Sequence, residues 1–177
     1  LQDVEKENVK LRKAIDLGIE KKFNIISTRI IGKDPSQDII FLDKGSRDGV
    51  KENMSVITPE KVTVGRIGAV FEASSKVILL SHPESSFEAK VVKEGVIGAV
   101  RGQGSYQAIL DLIPQESIVA NGDIVVSASL GGIFPENLLI GEVKEVRASD
   151  EQSFQQAMLS LFFNVNQAGL LFIVENK

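Results

Sequence analysis

From Phe23 onward the chain is a succession of short runs rich in β-branched residues, each closed by turn chemistry. The runs are 25–31, 39–42, 54–58, 62–70, 76–80, 91–92, 96–100, 106–113, 124–127, 138–146, 158–162 and 169–174. Between them stand Asp34-Pro35, Asp48-Gly49, Gly102–Gly104, Asn121-Gly122 and Gly131-Gly132. Glycine and asparagine accept positive φ and proline presets a turn, so each is a point where the chain reverses. Val, Ile and Phe interleaved with polar residues suit a pleated, half-buried surface. Many short strands punctuated in this way predict a mainly β fold of barrels or sandwiches. The polar stretches 149–156 and 164–168 read as loops.

Residues 127–143, SASLGGIFPENLLIGEV, are the most informative stretch. Gly131 and Gly132 permit a turn without steric cost. Pro135 has no amide hydrogen, so it ends a strand or lies at a sheet margin. Leu138, Leu139 and Ile140 then enter a sheet, and Gly141 marks a bulge or a close backbone approach. No side chain here does acid–base or nucleophilic work, so the stretch reads as architecture.

The body is internally duplicated. MSVIT (54–58) resembles DIVVS (123–127), and VGRIGAV (64–70) resembles IGEVKEV (140–146). The second copy carries the extra GGIFPEN segment. The repeat predicts two small β-barrel lobes of similar topology, 23–98 and 99–177. Lobes of this size bury only about 60% of their unfolded surface, so they gain by packing together as a stiff pair. The first strand, 25–31, is free in this reading to cross over and complete the second lobe.

Residues 1–22 have a different period. Leu1, Val4, Asn8, Leu11 and Ile15 alternate spacings of three and four, the seam of a coiled coil. Asn8 takes a core position, where a buried Asn fixes register in a parallel dimer. Gly18 ends the seam. The competing reading is a single amphipathic helix packed on its own domain. Leu1 starts inside the pattern with no cap before it, which predicts that the helix continues upstream in a longer chain, with a membrane anchor beyond.

Composition removes several functions. The formal charge is −4, and phosphate neutralisation needs a basic face, so nucleic acid is not the expected partner. One Tyr and no Trp leave few platforms for stacking bases. Without cysteine there is no disulfide or thiolate site. His82 is the only histidine, too few for a multi-histidine metal centre. It stands in a polar loop, SHPESS, with no nucleophile elbow nearby. Residues 101–105, RGQGS, lack the third glycine and following helix of a dinucleotide loop. No catalytic residue, metal, cofactor or small-molecule substrate is expected. No run of eighteen apolar residues crosses a membrane.

Taken together these residues resemble the extracytoplasmic part of the rod shape-determining MreC family. The resemblance is carried by the leading coiled coil, by Asp43–Val50 (DKGSRDGV), by Val64-Gly65, by the Asn121-Gly122-Asp123 turn and by GGIFPENLLIGEV at 131–143. Gly131, Gly132, Phe134, Pro135 and Gly141 form its most specific part. The family more often has glycine where Asn137 stands. The resemblance implies two β-barrels after a helix, one of them similar to the barrels of trypsin-like proteases. It implies an extracytoplasmic body, in the periplasm or at the cell surface, anchored by an upstream membrane helix. It also implies a non-enzymatic scaffold that dimerises, assembles into filaments and binds elongation-machinery membrane proteins such as the class B penicillin-binding transpeptidase. Phe134, Leu138, Leu139, Leu161, Phe162 and Phe163 are the candidate partner contacts, beside open sheet edges. Two rivals exist: a periplasmic adaptor of an efflux or secretion system, and a serine hydrolase using His82.

Overall fold

The computed structural model describes residues 2–7, 23–128, 134–148 and 152–176. Its strands are β1 (Phe23–Asp34), β2 (Ile39–Leu42), β3 (Ser55–Ile57), β4 (Thr63–Val70), β5 (Ser75–Leu79), β6 (Ser86–Val91), β7 (Ile97–Gly104), β8 (Gln107–Pro114), β9 (Ile124–Ser127), β10 (Leu139–Arg147), β11 (Phe154–Leu161) and β12 (Leu170–Asn176). Each overlaps one of the apolar runs. The polar stretch 149–156 is not all loop, because β11 begins at Phe154. There Gln155 is buried, and its amide donates to Pro114 O (3.1 Å) and Ser117 O (2.7 Å). A polar side chain satisfied in this way sits in a strand without the cost of an orphaned group.

The strands close into two barrels. One runs β1-β12-β3-β4-β5-β2 and the other β10-β11-β8-β7-β6-β9. Both rings are closed, so neither offers the open sheet edge expected for partner strands. Read from β3, the first ring is β3-β4-β5-β2-β1-β12. Read from β9, the second is β9-β10-β11-β8-β7-β6. Every neighbouring pair in one ring has an antiparallel counterpart in the other. The repeat seen at 54–58/123–127 and 64–70/140–146 is therefore a repeat of whole barrels.

Chain order differs between the two. The second barrel uses six consecutive strands, β6 to β11. The first uses β1 to β5 and takes its sixth strand, β12, from beyond the second barrel. The lobes are thus not 23–98 and 99–177: β6 and the start of β7 lie before residue 98 but belong to the second ring, and β12 returns to the first. Strand 25–31 does not complete the second lobe. It pairs with β12 from Phe23↔Asn176 to Arg29↔Leu170. Local pattern could not show this, because a strand's partners are set by long-range pairing. One signal was present, the unbroken apolar run LLFIV at 170–174, since a strand buried on both faces does not alternate. Leu171 and Ile173 join the first barrel's core with Ile40, Val56 and Ile67. Leu170, Phe172 and Val174 join the apolar cluster of Phe87, Leu110 and Ile140 in the second barrel.

Of the five seam positions near the N-terminus, only Val4 is among the described residues. It lies in a helical segment, 2–7, and is 66% exposed in the single chain. Glu7 of this segment stands 4.0 Å from Arg29 of β1. Leu1, Asn8, Leu11 and Ile15 lie outside the described residues, as do Gly131 and Gly132.

A groove at the junction of the barrels

Besides the apolar face of β12, whose Leu170, Phe172 and Val174 pack into the second barrel's cluster, the joint between the barrels uses backbone and one carboxylate. Asp38, in the turn between β1 and β2, is 1% exposed and held at φ 51. Its Oδ1 accepts from Ser81 Oγ (2.7 Å) and from the amide of Tyr106 (2.7 Å) in the β7–β8 turn. Its carbonyl accepts from Leu79 N (3.1 Å). Charge-assisted bonds of this kind are the strong ones. The linker that follows Ser81 lies against β7, where Gly104 N donates to Ser81 O (2.7 Å) and Gly102 N to Ser85 O (3.0 Å). A Cβ on Gly102 would overlap the carbonyl of His82, so only glycine permits this approach. On another side, Leu139 N donates to Lys61 O (2.9 Å), and Val62 pairs in parallel with Leu139.

Three concavities meet at this joint. One of about 260 Å³ lies between Thr63, Ser81, Leu161 and Asn164. A second, about 320 Å³, is bounded by Pro59, Glu60, Phe162 and Gln167. A third, about 450 Å³, lies on the outer face of the second barrel between Gln107, Lys144, Arg147 and Met158. Phe163 lines all three, and Tyr106 lines the first and third. The segment Leu161–Phe163 is thus the common wall of a groove across the junction. Leu161 packs against the second barrel's cluster and Phe163 against the first barrel's core. Phe162, between them, is 40% exposed.

The candidate contacts therefore separate. Leu161, Phe162 and Phe163 lie together at the groove. Leu139 is half-buried at the inter-barrel bridge. Phe134 and Leu138 are core, 5% and 3% exposed, and are not surface contacts. The Phe134 ring meets Phe87 of β6 edge-on at 4.7 Å. Pro135 is buried with it, its carbonyl accepting from Ser127 Oγ (2.5 Å). At Gly141 a side chain would overlap Ser160 O, which is the close approach that the glycine predicts.

Tyr106, Glu60, Lys144 and Arg147 were not legible as groove residues. Ser105 and Tyr106 both have positive φ, 52° and 59°, although Ser-Tyr is not the Asn-Gly type of pair that marks such hairpins. Non-glycine residues held there are a strain signal that only coordinates reveal. Burial, then Asp38, then Asp34 push the Tyr106 phenol above its ordinary value.

His82 and Ser81 are engaged elsewhere. Ser81 Oγ donates to Asp38, and His82 Nδ1 accepts from Glu84 N (3.0 Å). The serine–histidine bond that a hydrolase needs is not formed by this pair.

Comparison with known proteins matches residues 30–175 to the family model described as rod shape-determining protein MreC, barrel core. The cell shape-determining protein MreC of Listeria monocytogenes is 32% identical over 162 residues, covering 87% of this chain and 54% of that protein. The chain spans about half the length of the curated relatives it matches. A solved MreC structure superposes with a TM-score of 0.85 at 24% identity, over 97% of this chain and 99% of the other. The fold is shared with the major periplasmic domain of the cell shape-determining filament MreC, at TM-score 0.75 and 21% identity, over 88% and 98% of the two chains. It is shared too with a complex between penicillin-binding protein PBP2 and MreC from Helicobacter pylori, at TM-score 0.70 and 16% identity, over 88% and 99%. With most of its length matched by the family model, this chain belongs to the MreC family of rod shape-determining proteins.

Proposed function

We propose that this chain is the extracytoplasmic body of a non-enzymatic cell-shape scaffold that holds a penicillin-binding transpeptidase at the groove between its barrels. The observation that carries this reading is the segment Leu161–Phe163, anchored in both barrels and presenting Phe162 to solvent. Interfaces draw their energy from a few such aromatic anchors on a rigid frame. The Helicobacter pylori complex supports the class of partner. Docking uses side chains in the groove rather than strand addition, because both sheets are closed. Dimerisation through Leu1, Val4, Asn8, Leu11 and Ile15, assembly into filaments, contacts with other elongation-machinery membrane proteins, and an upstream membrane anchor complete the proposal.

The adaptor alternative is disfavoured by one feature. Adaptors insert a helical hairpin between the halves of a small barrel. Here the segment between β5 and β12 of the first barrel is a second barrel.

The test is co-purification of the membrane-anchored protein with the elongation transpeptidase of its own organism. Phe162→Ala is expected to abolish capture while leaving the unfolding midpoint unchanged. Undiminished capture by Phe162→Ala, Phe163→Ala and Tyr106→Ala alike contradicts a groove site.

A further inference from the structure

The two barrels are equivalent in ring order and unequal in chain order, and that inequality has a physical consequence. We infer that the second barrel is a self-contained folding unit nested inside the first, and that β12 is a strap which closes the first barrel only around an already folded second barrel. The second ring needs no strand from outside Ser86–Leu161. The first ring needs β12 between β1 and β3, where it makes seven register pairs with one and three with the other. About ninety residues separate the end of β5 at Leu79 from the start of β12 at Leu170.

If those residues were unfolded, closing so long a loop would lower the probability of the β1–β12 pairing on the order of a thousandfold, from the three-halves power of its length. A folded second barrel removes that cost by bringing its own entry and exit together. Leu80 and Ser81 on the way in, and Leu161, Phe163 and Asn164 on the way out, line one cavity of about 260 Å³. The hydrogen bonds there match as well: Leu80 N donates to Val64 O (3.2 Å), and Phe162 N donates to the equivalent Ile140 O (3.1 Å). Entry and exit are the same structural position in the two repeats. The dependence runs one way. Opening β12 leaves β1 held only by β2 and uncovers the part of the second barrel's cluster on which Leu170, Phe172 and Val174 pack, while the second ring keeps all six of its strands. Unfolding the second ring removes the scaffold that delivers β12.

Native-state hydrogen exchange on the whole chain tests this with two chemically identical changes. Ile173→Val lies on β12 and in the first barrel's core, and Ile113→Val lies on β8 in the second's; both sites are 0% exposed. Each deletes one methylene, a two- to tenfold effect by order of magnitude. Ile173→Val is expected to speed exchange in β2, β4 and β5 by that factor and in β7, β8 and β11 as well, because the second ring opens fully only from a state in which the first is already open. Ile113→Val is expected to speed β7, β8 and β11 and leave β2, β4 and β5 unchanged. Acceleration of β2, β4 and β5 by Ile113→Val would mean one cooperative unit and would overturn the inference. So would Ile173→Val leaving β7, β8 and β11 unaffected, which would make the barrels independent.

Discussion

Thr58 and Ser127 hold the same position in the two barrels and make the same bond. Thr58 Oγ1 accepts from Val62 N (3.1 Å), four residues on, and Ser127 Oγ accepts from Leu138 N (2.9 Å), eleven residues on. The difference in offset is a seven-residue insertion, 128–134. On either side of it the chain repeats itself. Pro59-Glu60-Lys61 matches Pro135-Glu136-Asn137, and Lys61 and Asn137 have φ of 65° and 64°. Glycine would adopt this left-handed backbone without strain, and Lys61 and Asn137 adopt it at a cost. Ser127 is the more exacting of the pair, since it also donates to Pro135 O and is 0% exposed. Ser127→Ala leaves two buried backbone groups unpaired and is expected to cost about 1–3 kcal/mol. Thr58→Val, at a half-buried site, is expected to cost less, and urea unfolding of the two variants gives the order.

Gly65 and Gly141 form a second equivalent pair. A Cβ on Gly65 would overlap Ile78 O, and one on Gly141 would overlap Ser160 O. Neither contact is with a flexible side chain, so the neighbouring strand itself must move. Each substitution by alanine is expected to destabilise by about 1–3 kcal/mol or more. Gly122→Ala meets open space instead, and its cost comes from φ 89°, about 1–2 kcal/mol. Thermal unfolding of the three variants separates crowding from backbone strain.

The chain's single tyrosine reports on the joint. Tyr106 titrates above its ordinary 10.0 because of burial, and next because Asp38 and Asp34 disfavour a phenolate. Asp38→Asn removes the stronger of the two electrostatic effects and is expected to lower the titration midpoint, read from tyrosinate absorbance without interference from tryptophan. The sign for stability follows. A raised folded value leaves stability intact below pH 10 and withdraws it as pH rises further, because the unfolded chain loses the proton first. An unmoved midpoint in Asp38→Asn would contradict the contact across the joint.

Phe134 and Phe162 looked alike in the sequence and are predicted to behave in opposite ways. Phe134→Ala removes a core ring packed on Phe87 and is expected to cost about 3–5 kcal/mol. Phe162→Ala is expected to change stability by no more than about 0.5 kcal/mol. Denaturant unfolding of the two proteins distinguishes core from contact.

Much of the fold was legible because strand chemistry is local. β-branched runs and turn pairs located every strand, and the resemblance of 54–58 to 123–127 and of 64–70 to 140–146 located the repeat. Pairing is not local, and so β12 was assigned to the wrong lobe and the rings were expected to have open edges. The site was half legible for the same reason. Leu161, Phe162 and Phe163 could be named from their apolarity. Whether each faced a core or solvent depended on the return path to β12. Phe134 and Leu138 are core because Ser127 Oγ bonds both Pro135 O and Leu138 N, which seats the two side chains in the second barrel's cluster. Asp38, whose carboxylate joins Ser81 to Tyr106 across the seam, sits in an ordinary-looking polar turn and gave no signal.

In the proposed scaffold, cell shape depends on what the groove between the barrels holds. The direct measurement is cell morphology in a rod-shaped host whose own copy of the gene is replaced by the full-length protein carrying Phe162→Ala, at matched expression. Rounded cells are expected from this variant, which folds as well as the parent. Cells that keep their rod shape with this variant and with Phe163→Ala would contradict it.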